Sequence, residues 1–153
     1  MNFVNAATSR QLDSVRQLFM EYQAGLGIDL DFQGFEEELN SLPGIYSPPA
    51  GRLYLIEVEN EVAGCGALKP LGPAVCELKR IYVRPRFRRR GLAEAISEQL
   101  LADALEEGYQ IAKLDTLARL SGAVALYRKL GFSETSAYNF NPHPDILYFE
   151  RRL

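Results

Sequence analysis

One histidine, two cysteines and no apolar run long enough to cross a bilayer are the scarcities that first narrow this chain of 153 residues. The single histidine, His143, lies between two prolines in a loop, where exposure is expected rather than catalysis. Cys65 and Cys76 fall on neighbouring strand-like runs joined at Leu71-Gly72-Pro73-Ala74. Folding that hairpin symmetrically sets Cys76 opposite about Lys69, so Cys65 lies some four residues further along, roughly 13 Å at strand rise. A disulfide cannot span that gap. Met1-Asn2-Phe3-Val4 does not open a secretory leader, so a cytoplasmic protein with reduced thiols is expected. A basic surplus is also missing. The net charge of -3 argues against general affinity for nucleic acid and leaves the arginines as a local concentration. There is no internal repeat and no low-complexity tract, and the length suits one globular core, so residues 1–153 read as a single domain.

That arginine concentration is Arg88-Arg89-Arg90-Gly91-Leu92-Ala93, directly after the strand-like run Glu77-Leu78-Lys79-Arg80-Ile81-Tyr82-Val83. A basic, glycine-containing loop that opens an amphipathic helix offers unpaired backbone N–H groups, a helix dipole and guanidinium donors to one anion, and phosphate fits them. The spacing Arg-x-x-Gly-x-Ala is neither the glycine fingerprint of dinucleotide-binding folds nor a P-loop. Further on, Leu126-Tyr127-Arg128-Lys129-Leu130-Gly131-Phe132 reads as the last turns of a helix capped by Gly131 and followed by a strand.

Between and around these motifs the periodicity alternates. A strand at Phe3 to Ala7 ends at Thr8-Ser9, either of which can cap a helix carrying Leu12, Val15, Leu18, Phe19 and Tyr22 until Gly25 and Gly27 break it. A short helix is expected over Phe32 to Leu39, and Pro48-Pro49-Ala50-Gly51 reads as a rigid loop. Arg52 to Glu59 and Val62 to Leu68 form a hairpin turning at Asn60, with Gly64 and Gly66 marking a close backbone approach or a kink. In Val75 to Val83 the apolar positions are even at Cys76 and Leu78, then odd at Ile81 and Val83. One inserted residue near Lys79-Arg80, a β-bulge, explains that phase slip. A helix over Gly91 to Glu107, a strand over Ile111 to Leu117, a helix that Ser121 can cap, and strands at Phe132 to Tyr138 and Ile146 to Leu153 complete an α/β (α+β) pattern.

The arginine loop and the Tyr127 segment, in this order and separated by a helix and a strand, resemble the coenzyme half of the GNAT superfamily of acetyl-CoA-dependent N-acetyltransferases. The resemblance covers essentially the whole chain. It implies a mixed, mostly antiparallel twisted sheet of about six to seven strands, four helices on both faces and splayed central strands. It implies acetyl-CoA as co-substrate, no metal, and an amine acceptor that is a small molecule or a peptide. A homodimer is compatible with it. Carried over by position, Ile81, Tyr82 and Val83 offer backbone groups to pantetheine. Arg88, Arg89, Arg90, Gly91, Leu92 and Ala93 hold the pyrophosphate, and Ser121, Ala123 and Tyr127 complete the coenzyme contacts. Tyr127 becomes the general acid that protonates the departing thiolate. Glu77 stands where some members place a general base acting directly or through water, and a surface carboxylate paired with Lys79 or Arg80 is the equal alternative. Many members carry an asparagine seven positions before the tyrosine. Here Leu120 stands there, so that contact is lost or moves to Ser121. Tyr22, residues 27–32 and residues 138–144 would frame the acceptor. A non-catalytic acyl-CoA-binding or sensing domain is the rival reading, and retention of Glu77 and Tyr127 argues against it. A nucleic-acid patch at residues 84–90 lacks stacking aromatics beyond Phe87.

Overall fold

The computed structural model of the protein describes residues 1–31 and 34–153. Seven strands form one sheet in the order β1-β2-β3-β4-β5-β7-β6: β1 Asn2–Asn5, β2 Arg52–Val58, β3 Glu61–Pro70, β4 Val75–Val83, β5 Ile111–Leu117, β6 Ser133–Thr135 and β7 Ile146–Arg152. The pairings are antiparallel except β4 with β5, which is parallel. Helices α1 (Ser9–Leu26), α2 (Phe35–Ser41), α3 (Leu92–Glu106) and α4 (Ser121–Lys129) cover it. None of these is long and apolar enough to cross a membrane among the described residues.

Local chemistry accounts for most boundaries. Thr8 and Gln11 form a reciprocal capping box that starts α1. The helix passes through Gly25 and ends only at Gly27, whose φ of 69° places it in the left-handed region. The expected start of the second helix at Phe32 lies outside the described residues. The β2–β3 hairpin turns at Glu59 and Asn60, both with positive φ. Two expectations fail. Ser121 is the first helical residue of α4 rather than its cap, and no side-chain hydrogen bond caps that end. The strand expected over Phe132 to Tyr138 is only Ser133–Thr135, because the chain leaves the sheet and sends the Tyr138 hydroxyl to Glu77 of β4.

The inserted residue in β4 is present. Cys65 opposes Tyr82 and Ala67 opposes Lys79, so Arg80 and Ile81 together face Gly66, and Arg80 has φ 58°. The two glycines serve this approach. A Cβ on Gly64 would lie 2.2 Å from the Tyr82 carbonyl oxygen, and one on Gly66 would lie 2.8 Å from Ile96 Cγ1. Cys76 pairs with Pro70, one position from the symmetric estimate, and both thiols are free and buried.

Two buried clusters sit on opposite faces of the sheet. One joins Leu78, Ile96, Leu100, Leu114, Tyr127 and Phe149 beneath α3 and α4. The other joins Val15, Leu18, Phe19, Leu55, Cys65 and Leu117 beneath α1 and α2. The sheet divides in the middle. β4 pairs with β5 only over Val75 to Glu77, whereas β5 pairs with β7 along its whole length.

The clearance at Gly64 gives a stability test. Gly64→Ala should cost about 2 kcal/mol or more, because backbone cannot yield as a side chain can. Gly122→Ala, at a helical position where a Cβ meets nothing within 4 Å, should be neutral or stabilising by about 0.5 kcal/mol. Urea denaturation of the two variants checks the contrast.

Candidate active site

The division between β4 and β5 holds a cavity of about 90 Å³. Tyr127 of α4, Ile81 and Lys79 of β4, Asp115 of β5, and Tyr22 and Ile28 from the α1 side line it. Ile81, Tyr82 and Val83 are paired to β3 on one side only, since the β5 pairing stops at Glu77. Beyond that point no strand pairs with the β5-facing edge of β4 among the described residues. Ala123 and Leu120 also line the cavity, the latter where many GNAT members carry asparagine, whereas Ser121 is exposed and absent from its wall.

Tyr127 is buried, packs edge-on against Phe132 with ring centroids 6.0 Å apart, and reaches the cavity from the α4 side. Burial pushes its phenol well above the ordinary value, with smaller contributions from Tyr22 and Asp115. It therefore stays protonated through neutral and mildly alkaline pH, although it matches a thiol less closely than a free phenol would.

Glu77 is not a surface residue. It is 1% exposed, accepts a 2.5 Å hydrogen bond from the Tyr138 hydroxyl and lies 3.6 Å from Lys69 Nζ. On the surface-carboxylate alternative its partner would be Lys79 or Arg80, whereas the ion pair it makes is with Lys69. Arg80 is committed to Glu38. Neither Glu77 nor its partner Tyr138 is among the residues that line the cavity.

Asp115 and Lys79 are cavity groups that the sequence reading missed. Alternation along β5 puts Lys113, Asp115 and Leu117 on the face that carries Glu77 and Lys79 of β4. That was the available signal, but only the splay makes Asp115 accessible. Its Oδ2 accepts a 3.0 Å hydrogen bond from Asn139 Nδ2. Burial, then the neighbouring Arg80, lowers the Lys79 ammonium.

The basic loop sits at the far end of the same edge, forming a groove of about 220 Å³ lined by Val83, Arg88, Arg89, Gly91, Ala93 and Leu126. Arg88 Nε donates to the Val83 carbonyl at 2.9 Å, which ties the loop to the end of β4. Arg90 lies over the ring of buried Phe87, and Arg89 is exposed with φ 64°. Gly91 caps α3 with φ 75° and no side-chain hydrogen bond, so the first-turn N–H groups of Leu92 and Ala93 have no intrahelical acceptor. A Cβ on Gly91 would meet no protein atom within 4 Å, so within the chain it is backbone conformation that favours glycine.

On the acceptor side, Tyr22, Ile28, Leu30 and Asn141 line the cavity, while Phe32 lies outside the described residues. Phe140 is 78% exposed. His143 is half-buried rather than exposed, and it is absent from the cavity wall.

Known proteins resemble the chain in sequence and in fold. The sequence model of the Acetyltransferase (GNAT) family matches residues 12–132. An uncharacterized N-acetyltransferase of Schizosaccharomyces pombe is 38% identical over 146 residues, covering 94% of this chain and 90% of its own length. A GNAT acetyltransferase from Staphylococcus aureus superposes with a TM-score of 0.80 at 18% identity, covering 99% of this chain and 98% of that one. A GNAT family acetyltransferase from Elizabethkingia anophelis, solved with acetyl-CoA bound, has a TM-score of 0.61 at 27% identity, covering 68% of this chain and 77% of that one. The chain belongs to the GNAT acetyltransferase family and is an N-acetyltransferase enzyme.

Proposed function

We propose that the enzyme moves the acetyl group of acetyl-CoA to the primary amine of a small molecule or peptide by direct attack in a ternary complex. The observation that carries this reading is the edge of β4 from Ile81 to Val83, which no strand pairs on the β5 side among the described residues and which runs from the Tyr127 cavity to the basic loop at α3. The acetyl-CoA bound to the Elizabethkingia anophelis relative supports the choice of donor. Residues 1–153 act as one acetyltransferase domain, and two unpaired thiols are compatible with a cytoplasmic location.

Pantetheine would pair with the backbone of Ile81 to Val83 as an added strand. Arg88 to Ala93 would hold the pyrophosphate through guanidinium groups and first-turn N–H groups. The amine lone pair attacks the thioester carbon and the carbonyl electrons move to oxygen. A β4 N–H freed by the bulge stabilises that oxyanion. Collapse breaks the C–S bond, and Tyr127 gives its proton to the thiolate. The amine proton goes to a carboxylate. Asp115, which lines the cavity, is better placed for this than Glu77, which is buried against the Tyr138 hydroxyl and does not line it. Initial rates with acetyl-CoA and a panel of amines test the scheme. Direct attack gives intersecting reciprocal plots, and parallel plots would mean an acetyl-enzyme.

Acetyl-CoA should raise the melting temperature, and Gly91→Glu should abolish the rise by bringing a negative charge to the pyrophosphate groove. Gly91→Ala, which carries the same left-handed strain without the charge, should retain most of it. Wild-type calorimetric affinity in the Gly91→Glu protein would remove the phosphate assignment.

Tyr127→Phe keeps the ring against Phe132 and loses the proton donor, so kcat should fall roughly 10- to 1000-fold with acetyl-CoA affinity nearly unchanged. Equal kcat, in a regime where chemistry limits turnover, would make Tyr127 a packing residue.

Asp115→Asn and Glu77→Gln separate the two carboxylates. The variant that lacks the base should lose kcat/KM most at low pH, where the amine is protonated, and recover as free amine becomes abundant. The expected outcome is this slope for Asp115→Asn and a profile parallel to wild type for Glu77→Gln. The reverse result would return the base to Glu77.

A further inference from the structure

Arg80 of the buried Arg80–Glu38 pair lines the cavity but is given no proton-transfer role above, and the pair holds the residue of β4 with positive φ. Arg80 occupies the bulge with φ 58°, a conformation that an arginine adopts only under constraint and that glycine or asparagine would adopt more readily. Its guanidinium is folded under α1 and α2. Nε and one terminal nitrogen bond the two oxygens of Glu38 at 2.9 and 3.0 Å. The Tyr46 hydroxyl donates to the same carboxylate at 2.9 Å. The rings of Phe19, Tyr22 and Phe35 surround the guanidinium carbon at 5.2 to 5.9 Å. Arg80 is 3% exposed. Burial raises the Glu38 carboxyl, the Arg80 hydrogen bonds and charge lower it by more, and the net value lies below the ordinary range, so the pair is ionised.

A buried ion pair is a poor source of stability, because the desolvation of two charges consumes most of their attraction. Its worth lies in geometry. A bidentate fork fixes direction as well as distance. Here one end of the fork is on α2, at the acceptor flank, and the other is the residue whose conformation re-aims Ile81 to Val83. Resting on the acetyl-CoA reading above, we infer that Glu38 is a positioning residue for the acyl donor: through Arg80 it sets the bulge that presents the β4 edge to the pantetheine arm. Tyr46 braces the carboxylate in that task. The basic loop at Arg88 to Ala93 is anchored further along the chain, by Arg88 on Val83 at the last residue of β4 and by Phe87 in the core.

This separation makes the inference testable. Acetyl-CoA uses the bulged edge and the loop, whereas phosphoadenosine diphosphate, its nucleotide half with the pyrophosphate kept and the pantetheine arm removed, uses the loop alone. Calorimetry with both ligands on wild type, Glu38→Gln and Tyr46→Phe, with melting curves alongside, should give a one-sided loss. Acetyl-CoA affinity should fall roughly tenfold in Glu38→Gln and less in Tyr46→Phe, while affinity for the nucleotide half stays within about twofold of wild type. A general loosening of the fold would weaken both ligands together, and that result, like unchanged acetyl-CoA affinity, overturns the inference. If Glu38→Gln does not fold, Tyr46→Phe decides by the same criterion. Wild type that binds neither ligand removes the donor reading and this assignment with it.

Discussion

A strand that gains one residue against its neighbour must bend, and in this protein the bend in β4 is what the site depends on. Arg80 and Ile81 share Gly66 as partner, and β4 runs beside β5 only as far as Glu77 before the two diverge. The divergence opens the cavity, bares one edge of Ile81 to Val83, and lets Tyr127 and Asp115 reach a common space from α4 and β5. Gly64 permits the close crossing on the β3 side, since its missing Cβ would strike the Tyr82 carbonyl.

The charges around this opening are paired, those of Arg80, Glu38 and Glu77 in the interior and that of Arg84 in a half-buried setting. Arg80 is matched by Glu38, Glu77 by Lys69 and Tyr138, and Arg84 by Glu21. The first two pairs join β4 to α2 and to β3 with the loop before β7, and the third joins Arg84, directly after β4, to α1. Such pairs add little net stability but penalise alternative registers strongly, because a slip would leave a charge buried alone. The strand that is least regular is thereby the strand most firmly specified.

Much of this was legible in the chain. The change of phase between Leu78 and Ile81 announced the bulge, and Gly64 with Gly66 announced the close approach, because both are properties of one strand and its pleat. The arginine loop and Gly131 were legible for the same reason, each being a local stop or start. What could not be read was whatever depends on two distant segments meeting. Glu77 read equally as a base and as a surface carboxylate until Tyr138 arrived from beyond β6, and nothing in β5 alone singled out Asp115 before the splay exposed it. Ser121 had the right side chain for a cap, but the chain enters α4 one residue earlier, at Leu120.

The account stands on acetyl transfer between two ligands meeting at Tyr127, and a single-turnover experiment followed by mass spectrometry tests it most directly. Enzyme in excess over acetyl-CoA, mixed with an amine panel, should release coenzyme thiol only when an acceptor is present, with the acetyl group recovered on the amine and none on the protein. Tight binding of acetyl-CoA with no thiol released by any amine would contradict the account and leave an acyl-CoA-binding module. Acetyl recovered on the protein would contradict direct attack.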